Sequence, residues 1–187
     1  SRVCCGRSVE SALALKDLNP EMDVFILYRD MRTYGEKEEL YQHAREEGIM
    51  FIRFDPENKP AVEITPAGGL KVLVRDPILG LPLSLSPDVI TLAPAILPNP
   101  AHDLAELFKV PTNAEGFLNE AHAKMRPVDC ITDGIYLAGL AHFPKPLEES
   151  VAQAKAAAAR AVTVLAQDQV AVEPLVSQVN QDLCIGC

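Results

Sequence analysis

Val24-Phe25-Ile26-Leu27-Tyr28 is a continuous apolar run of strand length, and such runs suit strands buried on both faces, as in a parallel sheet. Gly35 then precedes Glu36 to Glu47, where acidic residues crowd the first turn and Leu40 and Ala44 fall on one face of a helix. Gly48 is placed to end that helix, and Ile49 to Phe54 reads as a second strand. Strand, helix and strand within about thirty residues is a βαβ unit, whose crossover is right-handed. The class expected is α/β.

Outward from this unit the pattern varies. Residues 7–18 read as a short helix with Val9, Leu13 and Lys16 marking one face, stopping at Asn19-Pro20. Ala61 to Thr65, Gly68-Gly69 and Leu70 to Arg75 read as a hairpin. Asp88 to Ala93 is expected as another buried strand, followed by the proline-rich stretch Pro94 to Pro100. A short helix near 102–108 and a turn at Gly116 lead to Ile135-Tyr136-Leu137-Ala138, one more expected strand. The clearest element is the helix from Leu147 to Ala166: Leu147, Val151, Ala154, Ala158, Val162 and Leu165 recur at spacings of three and four. Its alanine-rich middle favours helix and permits close approach to a sheet. Residues 167–181 form a polar connector, and no internal repeat or low-complexity tract is visible.

The 187 residues suffice for one or two compact domains, and 48% hydrophobic content is normal for a packed protein. No apolar run approaches the roughly eighteen residues of a membrane span. The start, Ser1-Arg2-Val3-Cys4-Cys5, shows no secretory leader, and a cytoplasmic location is expected. With 17 basic against 26 acidic residues, the net charge of −9 argues against a nucleic-acid groove or an anionic membrane surface. The five cysteines, Cys4, Cys5, Cys130, Cys184 and Cys187, do not form a secreted disulfide framework. Clustered at both ends of the chain, they point to metal or redox chemistry, each end holding half of a site.

Chemistry concentrates at Asp133-Gly134-Ile135-Tyr136-Leu137-Ala138-Gly139-Leu140-Ala141. A strand ending in Gly139 lets a ligand approach the backbone. Pro144 and Pro146 shape the entry to the long helix, whose free N–H groups and positive end would stabilise an anionic group such as the N1–C2=O2 edge of a reduced flavin. The same pattern also fits an ordinary α/β turn without a ligand. His142 is the histidine placed to reach a flavin edge, whereas His43 lies on a charged helix. Lys145 is either a cation beside a reduced flavin or a surface lysine. Cys184-x-x-Cys187 alone is compatible with a thiol redox pair, a zinc half-site or the opening of a ferredoxin run. Cys4 and Cys5 are cluster ligands or buried structural thiols, and Cys130 is a core or surface residue. No G-x-G-x-x-G follows either strand of the βαβ unit, so a phosphate-cradling turn is absent from it.

Several of these stretches resemble thioredoxin-reductase-type flavoproteins. Residues 133–141 look like their second FAD-contacting segment. Asp88-Val89-Ile90-Thr91-Leu92-Ala93-Pro94-Ala95-Ile96-Leu97-Pro98-Asn99 is similar to their hinge, and Glu115-Gly116-Phe117-Leu118 to their short Gly-turn strand. Two residues depart from that pattern: the hinge glycine is Ala95 and the flavin-contacting aspartate is Leu140, which accepts no hydrogen bond. Both departures disfavour ordinary thioredoxin reductases. Gly139-Leu140-Ala141-His142-Phe143-Pro144-Lys145 resembles instead the Ala-Gly-x-Ala-x-x-Pro-Lys segment of the A subunit of heterodisulfide reductases. Tyr28-Arg29-Asp30-Met31-Arg32, Ser1-Arg2-Val3-Cys4-Cys5 and the terminal C-x-x-C also resemble the same family.

This resemblance implies a two-dinucleotide-binding-domain flavoprotein of the FAD/NAD(P)-linked reductase type, three-layered, with a parallel sheet plus a β-meander. Residues 1–95 would be the C-terminal part of a nicotinamide-type subdomain, 96–168 the C-terminal segment of an FAD domain, and 169–187 a linker and the start of a ferredoxin-type domain. FAD contacts would fall on Gly139, Leu140, Ala141, His142, Lys145, Pro146 and Leu147. Cys4, Cys5, Cys184 and Cys187 would ligate [4Fe–4S] clusters in the intact protein, whereas this piece alone lacks complete sites and is expected to be inactive. The implied activity is an oxidoreductase's electron transfer between FAD and clusters, with flavin-based bifurcation. No residue of this chain is assigned a catalytic role. Implied partners are the other components of the complex and a hydrogenase or dehydrogenase electron donor, with a homodimer allowed. Two rivals stand beside it: a non-bifurcating adaptor subunit of a sulfur-metabolism complex, and a docking module without activity of its own.

Overall fold

The computed structural model describes residues 2–169, 175 and 177–186. Helix α1 (Arg2–Leu18) leads into strand β1 (Phe25–Tyr28), helix α2 (Lys37–Glu46) and strand β2 (Met50–Arg53). β1 and β2 pair in parallel, Phe25 opposite Met50 and Tyr28 opposite Arg53, so the βαβ unit forms as its periodicity requires. Its core is compact: Val9 and Ala12 of α1 meet Ala44 of α2 and Ile49, with Leu13, Ile26, Leu40 and Phe51 closing around them. Tyr41 and Phe51 pack edge-on with ring centroids 4.7 Å apart, an arrangement aromatic quadrupoles favour. α2 ends where Gly48 takes φ +79, and the amide of Ile49 turns back to the carbonyl of Ala44 at 3.0 Å. Glycine enters this left-handed conformation without the Cβ penalty.

α1 begins five residues earlier than its sequence pattern implies, which places Cys4 and Cys5 inside the helix. Val9 and Leu13 face the core as expected. Lys16 instead reaches past the helix end, donating to the carbonyls of Pro20 at 2.6 Å and Met22 at 3.2 Å in the turn that follows.

A second sheet follows. Strands β3 (Ala61–Ile64), β4 (Leu70–Arg75) and β5 (Pro82–Leu85) form an antiparallel meander in the order β3-β4-β5. The hairpin read from Gly68-Gly69 is present, closed by hydrogen bonds in both directions between Thr65 and the two glycines. β5 escapes sequence reading because it opens on Pro82 and carries few strand formers; it is an edge strand, where proline is tolerated. Buried Val72 and Val74 of β4 form the meander's inner face.

Two expected strands are not formed. Asp88 to Ala93 has no ladder partner and lies exposed, Val89 at 76% and Leu92 at 82%. Apolar character alone does not make a strand when no neighbouring edge among the described residues takes up its backbone groups. Ile135 to Ala138 is extended, but its partner is local. Cys130 donates to Ile135 (2.9 Å), Leu137 donates to Val128 (2.8 Å), and only Asp129 and Tyr136 form a bridge. It is one arm of a tight loop turned at Gly134, whose buried Cys130 and Leu137 pack against Val110.

Helices α3 (His102–Phe108) and α4 (Leu147–Leu165) match their periodicity. α4 does not pack as its pattern predicts. Leu147, Val151, Val162 and Leu165 are exposed, and no residue of α4 is buried. The half-buried positions are Glu149, Ser150, Gln153, Ala157 and Ala161, a different face. Polar anchors explain this: Arg160 grips the buried Asp129 carboxylate through Nε and Nη2 at 3.0–3.2 Å, and Gln153 holds the Gly139 turn. Both prevail over the apolar stripe for the available contact surface.

The α1–α2 core predicts a specific loss. Val9→Ala, at a position with no solvent exposure, should cost about 2 kcal/mol from two deleted methyl groups and the cavity they leave. Urea unfolding should show a lower midpoint at an unchanged slope; an unchanged midpoint would mean this core is not formed.

Candidate functional site

Residues 139–145 form a knot of polar contacts at the side of α4. Gly139–Ala141 is a single turn of 3-10 helix. Gly139 has φ +67, and a Cβ built on it would meet nothing within 4 Å. Glycine is therefore required here for its conformation, and the space in front of the backbone is open. The Gly139 amide donates to Gln153 Oε1 at 2.9 Å. The turn also holds the chain before it, since Leu118 donates to the Ala141 carbonyl at 3.0 Å.

His142 and Lys145 are buried, with 8% and 5% exposure. Lys145 is thus not the surface lysine its sequence position allowed. Its ammonium donates to Gln153 Oε1, lies 3.2 Å from His142 Nδ1 and sits over the Phe143 ring, 3.9 Å from its centroid. Gln153 Nε2 is 2.8 Å from the same His142 nitrogen, and His142 Nε2 is 2.5 Å from Glu120 Oε2. Burial alone would raise the Glu120 carboxyl. Hydrogen bonds from its own backbone N–H and from His142, backed by smaller electrostatic attraction to His142 and then to Lys145, override it and hold the group below its ordinary 4.5.

The other expected contact residues spread around this knot. Leu140 (51%) and Leu147 (78%) are exposed, and Pro146 is the N-cap position of α4, without a side-chain cap. The helix start carries Glu148 and Glu149. Lys37 approaches Glu148 at 3.5 Å, and the Tyr34 hydroxyl donates to Glu149. An anionic edge at that helix end would meet two carboxylates. The cation beside the turn is Lys145.

These residues fit a flavin in one respect: open backbone at Gly139–Ala141 next to an exposed apolar Leu140 and a fixed buried cation. The cysteines fit a cluster less well. Cys4 and Cys5 are half-buried in α1, the Cys5 thiol facing the Asp30 carbonyl at 3.6 Å. Burial, reinforced by neighbouring Cys4, pushes the Cys5 thiol up against the pull of the Arg32 backbone N–H. Cys130 is fully buried and also raised by desolvation, with Asp129 adding to it. Cys184 is exposed, and Cys187 lies outside the described residues. Among the described residues no three His, Cys, Asp or Glu side chains converge as a metal site, so a complete cubane ligand set is not assembled here.

The hinge-like residues Pro98 and Asn99 line a separate open cleft of about 700 Å3 with Lys109 and Gly116. Gly116 has φ +92, and a Cβ on it would lie 3.2 Å from the Pro98 ring. Both its conformation and this close approach demand glycine. The cleft does not reach His142 or Lys145.

Sequence reading misses Gln153 and Glu120. Gln153 interrupts an alanine-rich run, yet it falls off the apolar stripe and so reads as a solvated residue. Glu120 has no motif to mark it. The one available signal is a polar side chain at 153 in step with Ser150, Ala157 and Arg160.

This geometry sits in a chain that is similar, end to end, to one segment of longer reductase subunits. The chain is 40% identical over its whole length to a CoB–CoM heterodisulfide reductase iron-sulfur A subunit of Methanopyrus kandleri, covering 29% of that protein. It is 39% identical to the A subunit of the H2:CoB-CoM heterodisulfide,ferredoxin reductase of Methanothermobacter marburgensis, covering 28%. Against a heterodisulfide reductase A-subunit-like protein of Archaeoglobus profundus it is 38% identical, covering 26%. No family model matches the chain. Over its whole length the chain is similar to heterodisulfide reductase A subunits, consistent with a fragment of that family as its motifs imply, and it spans less than a third of the length of these relatives. No described helix is long and apolar enough to cross a membrane.

Two measurements test this electrostatic picture. Alkylation at pH 8 followed by mass spectrometry should label Cys184 first and leave Cys5 and Cys130 largely unreacted, because the thiolate is the nucleophile and burial suppresses it; equal labelling of all three would contradict the burial described. Glu120 gives a pH dependence. Its folded carboxyl binds a proton less readily than the unfolded chain, so its contribution is full above pH 4.5 and lost as pH falls through its lower folded value. Acid unfolding followed by circular dichroism should be less steep below pH 4.5 in Glu120→Gln than in wild type.

Proposed function

We propose that this chain is part of an electron-transfer subunit that passes electrons between FAD and [4Fe–4S] clusters in a heterodisulfide-reductase-like complex. The observation that carries the reading is the open Gly139–Ala141 turn beside buried Lys145, in a chain matched end to end by heterodisulfide reductase A subunits. FAD supplies the two-electron to one-electron redox step, while the protein supplies binding and electrostatics. Gly139, Leu140, Ala141, His142, Lys145, Pro146 and Leu147 are the proposed contacts, through backbone where Leu140 offers no polar group. Cys4, Cys5, Cys184 and Cys187 are proposed as partial ligand sets, completed elsewhere in the intact subunit.

The proposed architecture assigns 1–95 to a nicotinamide-type subdomain, 96–168 to an FAD domain and 169–187 to the approach of a ferredoxin-type domain. The name of one relative joins H2 with both a heterodisulfide and ferredoxin and calls it a subunit, which supports bifurcation, a hydrogenase-type donor and a multi-subunit setting; a cytoplasmic location is proposed with them. A docking role is the second reading, favoured by the exposed stripe Leu147, Val151, Val162 and Leu165.

Isolated without oxygen, the complete subunit should carry bound FAD with its visible absorption. Gly139→Val should weaken FAD retention about tenfold or more, because a β-branched residue at φ +67 is strained by about 1–3 kcal/mol. A folded complete subunit that takes up neither flavin nor iron would sink the electron-transfer reading and leave docking.

A further inference from the structure

The hydrogen bonds around Gln153 admit a single orientation. Two groups converge on Gln153 Oε1, the Gly139 amide and the Lys145 ammonium. Both are donors with nothing to accept, so that atom is the oxygen and the amide is not flipped. Its Nε2 therefore faces His142 Nδ1 as a donor. The Lys145 ammonium points donors at the same ring nitrogen. His142 Nδ1 must accept, and the proton sits on Nε2, donated to the Glu120 carboxylate. The imidazole is neutral and its tautomer fixed from both sides.

Charge balances along the same path. Buried Lys145 is positive, His142 neutral and Glu120 negative, the last two joined by a short bond. An unpartnered buried ammonium would be costly. Here it is screened by a carboxylate one ring away and by the Phe143 face.

We infer that Gln153 is a positioning residue for the flavin-side turn: it pins the Gly139 backbone and the Lys145 ammonium to α4 in one geometry, with Glu120 as counter-ion through His142. This rests on the flavin reading above, and it extends that reading to residues with no flavin contact assigned. Gln153 is the joint between helix and turn. If it is lost, Gly139 and Lys145 become free to move independently, and the cation no longer stands at a fixed place beside the open backbone.

The test uses the complete FAD-loaded subunit with Gln153→Met and Gln153→Glu, compared at matched flavin content. Hydrogen exchange over residues 137–143 reads the pin without reference to flavin. In Gln153→Met, exchange at Gly139 should rise, the flavin midpoint potential should move negative, and kcat should fall about tenfold with KM changed by less than about twofold. Gln153→Glu keeps both acceptor contacts, to Gly139 and Lys145, but loses the donor to His142 Nδ1, so the ring must take up a proton there or turn away. The variant should retain protection at Gly139 yet also shift the potential negative, because its carboxylate neutralises Lys145. Wild-type exchange in Gln153→Met, or loss of protection in Gln153→Glu, would overturn the pin. Lost protection with an unchanged potential would overturn its role toward flavin. Absence of FAD from the wild-type protein would instead defeat the flavin reading, and the exchange comparison would still decide whether Gln153 holds the turn.

Discussion

One carboxamide oxygen organises this half of the molecule. Gln153 Oε1 receives the amide of Gly139 and the ammonium of Lys145, while the nitrogen of the same group supports His142. Helix α4 buries none of its own residues, so the hydrophobic effect does little to fix its position here. Polar, directional contacts do that instead: Gln153 near its start and Arg160 on Asp129 near its end. Between them lie two turns of helix, enough to define both the tilt and the rotation of α4. Hydrogen bonds are poor sources of net stability but good sources of orientation.

The consequence of that arrangement is a lysine in a place lysines avoid. Lys145 is less exposed than several aliphatic residues of the same segment. A buried ammonium is held only where enough acceptors and a counter-charge surround it. Gln153, His142 and the Phe143 face supply the former, and Glu120 supplies the latter at one remove. The Glu120 carboxyl is depressed mainly by its hydrogen bonds to its own backbone N–H and to His142, with the Lys145 charge adding a smaller pull. Such a lysine has little value to folding alone, and a site that needs a fixed positive charge at an open backbone explains its presence better than stability does.

How much of this the sequence discloses depends on whether the deciding partners are local. The βαβ unit and the hairpin are legible because their periodicity and glycines act within a few residues, and Gly48 and Gly68-Gly69 behave as read. The failures are of another kind. Asp88 to Ala93 has the composition of a buried strand, but a strand is completed by a neighbour that composition does not specify. In α4 the apolar spacing gives the helix correctly and its orientation wrongly, because two polar side chains, Gln153 and Arg160, have distant partners in Gly139 and Asp129. His142 and Lys145 are marked by their place after Gly139, whereas Glu120, which completes their charge balance, lies twenty-two residues from His142 in an unremarkable stretch.

The exposed stripe of α4 follows from the same competition. An aliphatic face as regular as Leu147, Val151, Ala154, Ala158, Val162 and Leu165 is unfavourable to leave in water, at roughly 25 cal/mol per Å2 of apolar surface, and a sequence pattern of this quality ordinarily marks a buried layer. The polar face of α4 already engages the Gly139 turn and Asp129, so nothing within the described residues is left to cover the apolar one. Most of the length of the M. kandleri and M. marburgensis relatives lies outside the matched region. In α4 the polar side therefore sets the Gly139 turn, and the helix keeps that orientation at the cost of leaving its apolar side exposed among the described residues.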